Sequence, residues 1–173
     1  MSIAALCQKI RLILSDVDGV MTDGGIIFDN QGIEAKRFNV RDGQGIKLWQ
    51  RSGGTFGILT SRNSHIVKVR ATELGIDIVR QGFAEKRPAA MEVITQLGLT
   101  PDAVAYIGDD LPDVPVLRSV ALGVAVADAA SEAKAAARHV THAPGGAGAV
   151  RETVELILKA QNRWHEAIAR FME

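Results

Sequence analysis

Two aspartates spaced one apart, Asp16 and Asp18, close an apolar run that begins at Leu12, and Gly19 follows at once. A run of this kind reads as a buried strand, and Asp-x-Asp-Gly breaks it sharply. Carboxylates at the carboxyl end of such a strand lie where open α/β sheets keep their ligands. Three more strand ends carry polar chemistry: Thr60 closes Thr55–Leu59, Lys86 opens the segment after Ile76–Val79, and Asp109, Asp110 and Asp113 follow Val104–Ile107. Carboxylates, a hydroxyl and an ammonium on one sheet edge are the parts of a phosphoryl-transfer site. Two carboxylates about 4 Å apart repel by roughly 4 kcal/mol at an effective dielectric of 20. That is a large share of the roughly 5–15 kcal/mol that keeps a domain folded. The cluster therefore calls for a cation, and one or two carboxylates plus phosphate oxygens suit Mg²⁺. Zinc has no Cys and His cluster to hold it; His139 and His142 read as surface residues.

These side chains need a scaffold. After the first strand, Ile26–Phe28 and Ile33–Val40 flank Asp29-Asn30-Gln31-Gly32, which predicts a hairpin over about 25–40. Arg41-Asp42-Gly43 closes it, and a short helix runs over Gly45–Ser52. A helix from Ser64, its cap, to Leu74 ends at Gly75, and another spans Pro88–Leu97. A short helix over Val114–Ser119, a strand over Leu122–Val126, a helix over Glu132–Arg138 and an edge strand at Val140-Thr141 follow. A last helix covers about Val150–Gln161. Strands alternating with helices in this way predict an α/β fold: a doubly wound, parallel, Rossmann-like sheet with one β-hairpin flap.

The 173 residues suit a single domain, with a core of about 11–160 and a tail of about 162–173. Twenty basic residues balance twenty acidic ones, which gives no electrostatic case for nucleic acid or an anionic membrane. No apolar stretch is long enough to span a bilayer. One cysteine, Cys7, excludes an internal disulfide, and a cytoplasmic protein is expected.

The stretches DVDGVMTDG, FNVRDGQGIKLW, ILTSRN, QGFAEK, GDDLPDVPVL and PGGAGAVRE resemble, in order, the motifs of the haloacid dehalogenase superfamily. Within it they are most similar to the 3-deoxy-D-manno-octulosonate 8-phosphate phosphatases of lipopolysaccharide biosynthesis. The resemblance implies Asp16 as the nucleophile that forms an aspartyl-phosphate and Asp18 as general acid, then general base. It implies Mg²⁺ held by Asp16, the Asp18 carbonyl and Asp109, with Asp110 and Asp113 behind them. Thr60 and Lys86 would hold the phosphoryl oxygens. For the substrate it implies Asn39, Val40, Arg41, Asp42 and Gly43, together with Lys47, Arg62 and Arg70, beside Asp18 and Lys86. Two cationic centres would suit a sugar acid that brings both a carboxylate and a phosphate. Lys47 stands where the family often has arginine, and Ser61 where it often has glycine.

About 40 residues separate the first motif from the second, too few for a cap domain. The resemblance accordingly implies a homotetramer, with hairpins gathered centrally and each site covered by a neighbour. It also implies that Gly145–Val150 is a flexible segment able to reach into a site. Two rival readings stand beside this one. The first is a related phosphatase for a nine-carbon sialic-acid-type 9-phosphate or broad sugar phosphates. The second is a non-catalytic receiver-like regulator, disfavoured because the third strand leads to Arg80-Gln81-Gly82 with no Asp.

Overall fold

Strand β1 (Leu12–Ser15) is wholly buried, and in the computed structural model, which describes residues 1–173, it lies between two parallel neighbours. These are β4 (Thr55–Thr60) on one side and β6 (Val104–Gly108) on the other. A strand covered on both faces and both edges has no solvated side, hence its unbroken apolar sequence. β5 (Ile78–Gln81) extends the sheet beyond β4; β7 (Leu122–Ala125) and β8 (His139–Val140) extend it beyond β6. The order is β5-β4-β1-β6-β7-β8, all parallel.

The chain builds outward from β1 to β5, then returns to pair β6 on β1's free edge. Winding direction reverses there, so helices must fall on opposite faces. On one face α2 (Val40–Arg51) packs against α7 (Ala149–Ala160), with α1 (Ile3–Cys7) and α3 (His65–Leu74) beside them. On the other, α4 (Lys86–Gln96) packs on α5 (Val114–Leu117), and α5 on α6 (Ser131–Ala136). α7 buries Val150, Val154, Ile157 and Leu158, the i, i+4, i+7, i+8 stripe of a core-facing helix. α8 (Trp164–Ile168) folds the tail back, with Arg151 and Lys159 each 5.2 Å from the Trp164 ring.

Several boundaries differ from expectation, each for a local reason. α2 starts at Val40, not Gly45, because the Asn39 side chain accepts from the Arg41 N–H at 2.8 Å and starts the helix. Its glycines serve packing: a Cβ on Gly45 would stand 3.0 Å from the Arg151 Cα of α7. β5 starts at Ile78, not Ile76, because the Ile76 N–H closes α3 by bonding the Ala71 carbonyl. α4 starts at Lys86, with Pro88 within its first turn.

The hairpin forms, but each strand is only two residues long, β2 (Ile27–Phe28) and β3 (Glu34–Ala35). Asp29 shapes its turn by accepting from the N–H groups of Gln31 and Ile33, both at 2.8 Å. Ile26, Ile27, Phe28 and Ile33 are all exposed.

Candidate active site

The reversal of winding puts the carboxyl ends of β1 and β6 side by side, Ser15 level with Ile107. Asp16 and Asp109 begin the loops that leave those ends, so topology alone brings the two acids together. Asp16 prolongs the ladder through its N–H to the Ile107 carbonyl (2.9 Å) and is 6% exposed. Gly19 has φ +90°, and a Cβ there would lie 2.1 Å from Asp109 Oδ2. The glycine after the acid pair thus makes room for the acid of the other strand.

Lys86, the first residue of α4 and 3% exposed, points its ammonium between two carboxylates. Nζ lies 2.7 Å from Asp16 Oδ2 and 2.6 Å from Asp113 Oδ1. Burial alone would lower the Lys86 pKa; Asp16 and Asp113 outweigh it and hold the ammonium charged. Asp113 has no spare capacity. It also accepts from the Tyr106 hydroxyl (2.5 Å) and from the N–H groups of Asp109 (2.9 Å) and Asp110 (3.1 Å). Asp113 is therefore the anchor of Lys86 and of the loop after β6, and Asp110 stands exposed on the rim.

Asp16 Oδ1 and Asp109 Oδ1 are buried with no hydrogen-bond partner. Asp16, Asp109 and Asp113 can present oxygens within 4.8 Å of one another. With Asp113 committed, the two orphan oxygens are a fit for a divalent cation. Burial, then the charge of Asp113, raises the Asp16 pKa to about 6, against the pull of Lys86. Burial, then Asp16 and Asp113, raises Asp109 to about 8. Both shifts are what uncompensated acids in one enclosure require.

The enclosure is a cavity of about 140 Å³ with no hydrophobic lining, walled also by Thr60, Ser61, Arg62 and Asp18. Thr60, 2% exposed, ends β4 there. Ser61 Oγ is buried without a partner and adds a hydroxyl to the wall. A larger hollow between Arg51, Arg163 and Arg170 contains none of these acids.

Two residues of the site carry no obvious sequence signal. Lys36 follows β3, and its ammonium bonds Asp18 Oδ1 and lies 3.2 Å from Glu34. Glu34 also accepts from Ser64 Oγ (2.5 Å) and Arg62 Nη2 (2.9 Å), and the Ser64 bond leads the effects that hold its pKa down at about 2. The expected cap, Ser64, thus makes no cap hydrogen bond with its hydroxyl. Tyr106 is fully buried in β6, where burial and then Asp113 push its phenol well above the ordinary range.

Of the expected substrate residues, Asp18, Arg62 and Lys86 line the cavity, with Arg62 Nε 3.7 Å from Asp18 Oδ2. The others do not. Asp42 is 2% exposed and accepts from the N–H groups of Arg151 (2.8 Å) and Gly148 (3.3 Å) at the start of α7. Its side chain is spent on that helix end. Asn39 donates to the Gly146 carbonyl (3.2 Å), and Val40 and Arg41 face outward. Arg70 stacks over Phe38, pairs with Glu73 (2.7 Å) and packs against Gly43. Lys47 lies with Thr55, Gly75 and Asp77 at the amino end of β4, opposite the acids. It sits two turns into α2, roughly 10 Å along the axis from the helix start. Gly145–Val150 is not a free strap in this chain. Gly146 N–H bonds the Val20 carbonyl (2.9 Å), and Gly145 N–H bonds Asp128 (2.9 Å).

Residues 50–150 match the model of the haloacid dehalogenase-like hydrolases. The 3-deoxy-D-manno-octulosonate 8-phosphate phosphatase KdsC of Salmonella typhi is 46% identical over 160 residues, covering 92% of this chain and 85% of the relative. That of Yersinia pestis is 49% identical over 155 residues, covering 90% and 83%. The chain belongs to this phosphatase family. Among solved structures, the family member from Moraxella catarrhalis, in complex with magnesium ion, phosphate ion and KDO, superposes with a TM-score of 0.95. It is 41% identical and covers 97% of each chain. A probable yrbi family phosphatase from Pseudomonas syringae has a TM-score of 0.96 at 45% identity, covering 98% and 97%.

Proposed function

We propose that this chain is a Mg²⁺-dependent phosphatase that converts 3-deoxy-D-manno-octulosonate 8-phosphate to 3-deoxy-D-manno-octulosonate and phosphate, for lipopolysaccharide biosynthesis. The observation that carries this reading is the pair of orphan oxygens on Asp16 and Asp109 beside the Lys86 ammonium. It is joined to a sequence similar over most of its length to phosphatases of that name.

In this reading Asp16 attacks phosphorus, and the phosphorus–oxygen bond to the sugar breaks with its electron pair on the sugar oxygen. Asp18 gives that oxygen a proton. It then takes one from water, which attacks the aspartyl-phosphate, releases phosphate and frees Asp16. Lys86, Thr60 and Ser61 hold the phosphoryl oxygens as charge spreads over them. Asp16, the Asp18 carbonyl and Asp109 would hold Mg²⁺, which supplies positive charge to the phosphoryl group. Arg62 meets the sugar portion at the mouth.

The same reading includes a homotetramer in the cytoplasm. It is supported by four exposed apolar residues on a hairpin whose short strands need an external partner, and by an unpaired Cys7. The test is phosphate release from a panel of sugar phosphates, with and without Mg²⁺, ranked by kcat/KM. The eight-carbon sugar acid should lead, and Asp16→Asn should abolish turnover. Equal ranking with hexose phosphates would overturn the substrate, and substantial turnover by Asp16→Asn would overturn the nucleophile.

A further inference from the structure

Asp18 meets two different environments with its two oxygens. Oδ1 is bonded by the Lys36 ammonium, whereas Oδ2 is buried with no hydrogen-bond partner, on a residue that lines the cavity. Arg62 Nε, at 3.7 Å, is too far to bond it. Lys36 is not a stray surface lysine: its side chain is 1% exposed. It comes from the strand end of the hairpin, 18 residues after Asp18. Glu34, two residues earlier, braces it at 3.2 Å and is itself fixed by Ser64 Oγ and Arg62 Nη2.

We propose that Lys36 is a positioning residue for Asp18: by holding Oδ1 it aims Oδ2 at the leaving oxygen of the substrate. The assignment rests on the phosphatase reading above and adds a residue to it. A carboxylate on a loop turns freely about its terminal bond, and a misplacement of about 1 Å can cost roughly a hundredfold in rate. Pinning one oxygen removes that freedom and leaves the other to exchange the proton. Glu34 keeps the ammonium in place and holds Arg62 beside it, so β3 braces both side chains over the mouth. The hairpin thereby has a part in the chemistry of its own chain.

The test separates proton delivery from phosphate binding and from a purely structural role of Lys36. A sugar alkoxide is a poor leaving group that needs protonation as it departs, whereas p-nitrophenolate departs readily without it. The measurement is kcat/KM, which reports the step in which the leaving group is lost, on 3-deoxy-D-manno-octulosonate 8-phosphate and on p-nitrophenyl phosphate. Lys36→Met should lower the sugar value about a hundredfold and the aryl value at least tenfold less, within the range of a general acid's contribution. Asp18→Asn should show the same split in larger form, and Lys36→Arg should recover most of the loss. Equal losses on both substrates would make Lys36 a phosphate-binding or purely structural residue and overturn the proposal, as would no loss on either. If Lys36→Met fails to fold, Glu34→Gln, which loosens Lys36 without removing it, must show a smaller split in the same direction. An equal loss there overturns the proposal too. A wild-type chain that cleaves neither phosphate would sink the phosphatase reading itself.

Discussion

Asp113 Oδ1 holds the Lys86 ammonium at 2.6 Å, inside a set of four hydrogen bonds that joins β6, the loop after it and the start of α4. The acid bonds neither orphan oxygen, yet the position of Lys86 against Asp16 depends on it. Asp113→Ala should leave a buried ammonium half-paired and cost about 3–5 kcal/mol, measured by urea unfolding. Phosphate release in the variant that remains folded should fall at least about tenfold, since Lys86 loses its fixed position.

Tyr106 supports the same acid from below through its hydroxyl, 2.5 Å from Asp113 Oδ1. Tyr106→Phe removes that bond and fills the same space. The expected cost is about 1–2 kcal/mol of stability. KM should change little, because the phenol lies beneath Asp113 and outside the cavity wall.

The raised pKa values of Asp16, about 6, and Asp109, about 8, fix a sign. The metal-free folded chain holds protons on these acids that the unfolded chain has released. Its stability should therefore decline as pH rises from about 4, the unfolded value, to about 8. Mg²⁺ competes with those protons, so the rise in Tm on adding it should grow between pH 5.5 and pH 8.5. Thermal melts with Mg²⁺ or with EDTA across that range check both trends. Asp109→Asn should flatten them.

Asp42→Ala tests a residue whose motif suggests a ligand and whose geometry shows a helix cap. The loss should be about 1–2 kcal/mol of stability, read by denaturant midpoint. KM for the sugar phosphate should stay near that of the wild type. A large rise in KM without loss of stability would place Asp42 in the substrate site.

The residues legible in the sequence share one property: Asp16, Thr60 and Asp109 each end an apolar run, and a parallel sheet gathers such ends on one edge. The order β4-β1-β6 then decides which ends touch. Helix direction is harder to read. Asn39–Gly45 looks like a turn because Gly43 and Gly45 interrupt it, but close packing on Arg70 and Arg151 keeps both in the helix and carries Lys47 to the far end. Lys36 is invisible to periodicity, since its reach over Asp18 depends on how the hairpin bends. Tyr106 carries a faint signal: a lone phenol in the aliphatic run Val104–Ile107 must find a polar partner when buried.

The pairing of Leu12 with Val104 has a consequence for how the enzyme comes into being. Contacts this distant in sequence form late, and on the ribosome they must wait until more than a hundred residues have emerged. A nascent chain that has reached only α4 exposes Asp16 and Asp18 with no Asp109 opposite them and no Asp113 to hold Lys86. Competence therefore arrives in a single step, when β6 docks, and an incomplete chain carries half a catalytic centre with no activity to release.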